Sequence, residues 1–111
     1  MIKKLVTIAA LATLLGSPTS YSAIVSGNQL VQYCEYDAET FSNGFCYGYM
    51  TGVYEKMNDV LICPPDGVSV NQIASIVMKY LRENPEDLHF SAVSLVAIAL
   101  SKAFEGSCND R

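Results

Sequence analysis

Four cysteines, Cys34, Cys46, Cys63 and Cys108, constrain this 111-residue chain more than any other feature. An even set in a short chain reads either as crosslinks or as metal ligands. The metal reading fails on spacing: no two cysteines are separated by two to four residues, and the only histidine, His89, lies far along the chain. No metal and no cofactor are therefore expected. Two disulfides remain, and they require an oxidising compartment. Four cysteines allow three connectivities.

The first residues supply a route to such a compartment. Lys3 and Lys4 precede an uncharged apolar run from Leu5 to Leu15, after which come Gly16, Ser17 and Pro18. This is the layout of a secretory signal peptide. The run is eleven residues long, about half of what a helix needs to cross a hydrocarbon core of roughly 30 Å, so no membrane insertion of the mature chain is expected. Ser20 and Ser22 place small residues at both peptidase recognition positions, which predicts a signal peptide over 1–22 and a mature start at Ala23. No cysteine stands at the cleavage point to carry a lipid. The competing reading, an apolar N-terminal helix of a cytosolic fold, conflicts with the paired lysines, the small-residue segment and the cysteines beyond it. The expected location is the periplasm.

Removing Lys3 and Lys4 from the seven Lys and Arg leaves five against eleven Asp and Glu, a net charge of −6. Such a surface repels nucleic-acid phosphates and anionic lipid headgroups and attracts a basic protein. It also serves plain solubility.

The mature residues 23–111 read as a single all-α domain, a small disulfide-stapled bundle of about four helices. Leu30, Val31 and Cys34 give one apolar face to a short helix over 26–36. A second is predicted over 44–58, capped by Ser42 or Asn43, with Phe45, Tyr49, Val53 and Met57 recurring every fourth residue and Cys46 and Met50 widening that side. Gly44, Gly48 and Gly52 recur at the same interval. Each interior glycine costs about 1 kcal/mol of helix propensity, a cost that makes sense if another element approaches closely, either within the monomer or across a homodimer interface.

Cys63 to Gly67 is a constrained turn. Ser69 followed by Gln72 is a capping box with Val68 and Ile73 as its staple, opening a third helix that stops near Glu83. Asn84-Pro85-Glu86-Asp87 is a second start signal, with Asn84 as cap and the acids over the first turn; it opens a fourth helix that carries Leu88 to Phe104 and ends at Gly106. So tight a connection makes the last two helices an antiparallel hairpin. The hairpin places Cys63 beside Cys108 and leaves Cys34 beside Cys46, the pairing ranked first among the three.

The chain carries no pattern for catalysis. His89 sits between Leu88 and Phe90 with no spare nucleophile once the cysteines are paired. Glu86 and Asp87 are adjacent on a helix and point apart. Phosphate loops, dinucleotide fingerprints and zinc-protease or calcium motifs are missing. The expectation is a protein that is not an enzyme. Six tyrosines in the mature chain are a surplus, and tyrosine is enriched at interfaces. Tyr49 and Tyr80 read as core, whereas Tyr47 and Tyr54 lie off the main apolar face and read as partner contacts.

The segments FCYGYMTGV (Phe45 to Val53), CPPDGVSVNQI (Cys63 to Ile73), KYLRENPEDLHFSA (Lys79 to Ala92) and ALSKAF (Ala99 to Phe104) resemble the type VI secretion immunity protein family. The resemblance runs from about Cys34 to Cys108. It implies a periplasmic helical protein that neutralises a peptidoglycan amidase effector, by a process similar to insertion of a loop into the enzyme's cleft. The implied loop is Glu83 to Leu88, with Asn84, Glu86 and Asp87 as contacts. The chain departs from the family at its end, where Glu105, Gly106 and Ser107 separate Phe104 from Cys108 instead of a proline and cysteine following directly. The alternatives are a periplasmic acid-stress chaperone, which would unfold near pH 2, and an orphan protein-binding module. Two disulfides oppose the wholesale unfolding that the chaperone needs.

Overall fold

A computed structural model describes residues 24–105 and Cys108. The predicted signal peptide, its cleavage junction and Gly106 lie outside the described residues.

The chain forms four helices: α1 (Gly27–Cys34), α2 (Phe41–Met57), α3 (Val70–Glu83) and α4 (Ala92–Ala103). Each touches the other three. The all-α bundle is stapled by Cys34–Cys46 and Cys63–Cys108, with Cα atoms 5.1 and 5.2 Å apart. This is the pairing ranked first from the α3–α4 hairpin.

At eight residues, α1 is too short to persist alone. Two devices hold it. Ser26 and Gln29 form a reciprocal capping box that the sequence reading overlooked, and Leu30 is completely buried, worth ~1.5–3 kcal/mol.

Helix α2 starts three residues earlier than predicted. Thr40, rather than Ser42 or Asn43, is the cap: its hydroxyl accepts from Asn43 N–H and donates to the Asp37 carbonyl at 2.7 Å. Glu39, in the left-handed region at φ 73°, turns the chain into the cap. Its buried line is Cys46, Met50 and Met57. Phe45 and Tyr49, expected on that line, are half-buried on its flank, where Phe41, Phe45 and Tyr49 form a row of rings.

The glycine expectation is overturned for the monomer. Gly44, Gly48 and Gly52 are exposed, and a Cβ added to any of them would meet nothing within 4 Å. They permit no close approach inside the bundle, where they weaken the helix. Gly48→Ala and Gly52→Ala are each expected to raise stability by up to about 1 kcal/mol. Thermal unfolding of the two variants checks this, and a fall in melting temperature would mean that the edge is occupied.

The capping box of α3 forms as read, with Ser69 and Gln72 bonded reciprocally. Ile73, Ala74, Val77 and Leu81 face the core. Helix α4 begins seven residues later than predicted, at Ala92 instead of Pro85. Pro85–Asp87 is only a short 3-10 turn, Asn84 gives it no side-chain cap, and Ser91 caps α4 by accepting from Ser94 N–H. Tertiary pairing wins over the local start signal: Gly27 N–H donates to Phe90 C=O at 2.9 Å, Asn28 N–H to Leu88 C=O at 2.8 Å, and Ala92 N–H to Val25 C=O at 2.9 Å. Carbonyls 88 and 90 bond across to α1, so Leu88 belongs to a connection and not to the helix.

Candidate partner-binding surface

The connection from Asn84 to Ser91 is braced by main-chain bonds both within itself and from α1. Within it, Asp87 N–H donates to Asn84 C=O at 3.1 Å and Phe90 N–H to Asp87 C=O at 3.0 Å. Pro85 fixes the first turn, and the two bonds from α1 hold the far side. The segment therefore presents its side chains on a main chain with little freedom to lose.

Glu86, His89 and Phe90 are exposed, and Asp87 is half-buried. The His89 and Phe90 rings lie 4.1 Å apart. The Asn84 side-chain amide donates to Tyr80 C=O at 2.8 Å, closing the end of α3. It shapes the loop from behind.

The two tyrosines assigned to contact do not join this loop. Tyr47 and Tyr54 are half-buried against the core. Tyr54 meets Phe104 edge-on at 6.1 Å, at the end of the bundle that holds Cys63 and Cys108, opposite the Asn84–Ser91 loop. The sequence-predicted contacts thus divide into Asn84, Glu86 and Asp87 together at one end, and Tyr47 and Tyr54 apart from them.

Sequence reasoning missed an apolar strip beside the loop. Phe90 is 51 % exposed, and Val93 and Ile98 are exposed on the outer side of α4, lining a shallow groove with Ser91, Ser94 and Leu95. The signal was present as a second helical line at 90, 93 or 94, and 97 or 98, hidden by the stronger buried line of Ala92, Leu95, Val96, Ala99 and Leu100.

Among the described residues no three His, Cys, Asp or Glu side chains are grouped to hold a metal, and no helix is long and apolar enough to cross a membrane. A small stapled helical domain with a rigid, acidic and partly aromatic loop at one end has the form of a protein-recognition module. The profile of the Rap1a immunity proteins matches residues 26–106. The chain belongs to this family of type VI secretion immunity proteins. No curated protein matches it.

Proposed function

We propose that this protein is exported through cleavage after residue 22, resides in the periplasm, and inhibits a type VI peptidoglycan amidase by placing the Asn84–Ser91 loop in the enzyme's cleft. Family membership supports binding of an effector protein. The observation that carries the choice of surface is the bracing of that loop by main-chain bonds from α1. A protruding segment already held in one conformation loses little entropy on entering a groove. Glu86 and Asp87 steer it toward a positively charged mouth and raise the association rate, while Phe90 offers an aromatic anchor beside them.

Both acids also belong to the three-residue 3-10 turn that follows Asn84, so a purely local role for their charge is the competing account. The joint charge reversal Glu86→Lys with Asp87→Lys separates the two roles. It is expected to weaken binding to the amidase captured from periplasmic extract at least tenfold, about 1.4 kcal/mol, beyond any change in folded fraction. Calorimetric titration of the folded double variant checks this, and an unchanged affinity would move the interface away from the loop.

A further inference from the structure

A second recognition feature lies away from the loop, where α1 ends and α2 begins. Gln29, Gln32, Tyr33, Glu35, Tyr36 and Ser42 line an open cleft of about 600 Å³. Its walls are fixed in three ways. Cys34–Cys46 ties α1 to α2, the Asn43 side-chain amide donates to Tyr36 C=O at 3.1 Å, and the Thr40 hydroxyl closes the intervening turn on Asp37 C=O. The Tyr33 ring is itself buttressed by Phe45, with centroids 4.5 Å apart. Tyr36 is 58 % exposed.

Glu35 is the one charged side chain among the residues that line the cleft. From Ile24 to Glu55 the chain carries Glu35, Asp37, Glu39 and Glu55 and not one Lys, Arg or His. The Glu35 carboxylate makes no hydrogen bond or ion pair with any described residue and stands at the C-terminal end of α1, where the helix dipole adds further negative potential. Aromatic rings attract a cation through their faces, an attraction that grows as the cation sheds water. A carboxylate beside them supplies the countercharge.

We propose that this cleft binds an organic cation, the guanidinium or ammonium group of an Arg or Lys side chain on a protein partner. Tyr33 and Tyr36 receive the cation and Glu35 neutralises it. The amides of Gln29 and Gln32 and the Ser42 hydroxyl bond to the peptide that carries it, which is why a protein side chain fits the cleft better than a free amine. The cleft lies roughly 12 Å along α1 from the strand-like pairing with residues 88–91, near enough for one partner to cover both. The cleft does not depend on that partner being an amidase.

The test uses the intact, disulfide-bonded protein, isotope-labelled, with capped arginine amide and capped lysine amide as probes. Saturable chemical-shift changes are expected at Gln32, Tyr33, Glu35 and Tyr36, weakened at least fivefold by Glu35→Gln and by Tyr36→Ala. Both substituted side chains are exposed, so the fold should persist, and the unchanged remainder of the spectrum verifies that. Capped citrulline amide, similar in shape but uncharged, should give no saturation, and methylguanidinium should bind more weakly than capped arginine. An equal response to citrulline, changes scattered over the acidic surface, or insensitivity to both substitutions would overturn the proposal. Equal binding of methylguanidinium would overturn its assignment to a peptide-borne side chain.

Discussion

Replacing Cys63 and Cys108 together with alanine is expected to lower the free energy of unfolding by about 4 kcal/mol. The bond joins residues 45 apart in sequence, and restriction of the unfolded chain grows with the logarithm of the loop closed. The same reasoning gives the Cys34–Cys46 bond, with a separation of 12, a contribution of about 3 kcal/mol. A domain of this size has a total stability of roughly 5–15 kcal/mol, so the longer bond alone is a large part of it. Denaturant unfolding of the two double-alanine variants measures both quantities. A cost below about 1 kcal/mol at Cys63–Cys108, or a clearly larger one at Cys34–Cys46, would show that native-state contacts rather than loop closure dominate. The consequence is a protein whose fold depends on oxidation, in keeping with the export proposed for it.

Gly27→Ala is expected to cost about 1–3 kcal/mol by overpacking, the opposite sign from alanine at Gly48 or Gly52. A Cβ at Gly27 would stand 2.5 Å from Leu95 Cδ1, 2.9 Å from Leu88 O and 3.1 Å from Leu88 Cα. Leu95 is 2 % exposed and has nowhere to rotate without displacing its neighbours. The Leu88 carbonyl is main chain and already accepts from Asn28. Something must move, and the cheapest motion lifts α1 from the Leu88–Ser91 segment, stretching the bonds that brace the loop. The variant should therefore show faster amide exchange at Gly27 and Asn28 together with its lower unfolding free energy. If Gly27→Ala proved as stable as the parent, the close approach between α1 and the loop would not exist in solution, and the argument for a braced inhibitory element would lose its foundation.

These two glycine results mark where one-dimensional reading stops. A glycine repeat at every fourth residue is conspicuous, whereas Gly27 stands alone, yet close packing occurs at Gly27 and nowhere along Gly44, Gly48 and Gly52. Spacing reports which residues share an edge. It does not report whether another element lies across from that edge, because that depends on how the helices pack.

Local signals fared best where nothing distant competed with them. The Ser69–Gln72 box opens α3 as read, because all its bonds lie within four residues. Asn84-Pro85-Glu86-Asp87 is an equally good start signal on paper, but the carbonyls at 88 and 90 have partners on α1, and the chain postpones α4 until Ser91. The residues assigned to contact lie in two places: Asn84, Glu86 and Asp87 share one turn, while Tyr47 and Tyr54, on α2, are drawn against the core by the aromatic area they bury.

Composition and periodicity by themselves determined the class of this protein: an acidic, all-α domain of four helices, with cysteines placed so that a helical hairpin pairs Cys63 with Cys108. Those properties follow from short-range preferences and from chain length, which any fold of these residues must respect. Only the tertiary structure decided that α1 is bonded to the Leu88–Ser91 segment, that the glycine edge is open, and that Tyr33, Glu35 and Tyr36 line one cleft. Each of these depends on which surfaces meet, and packing chooses among surfaces by shape and by the need to satisfy buried main-chain groups, neither of which is written in the order of residue types.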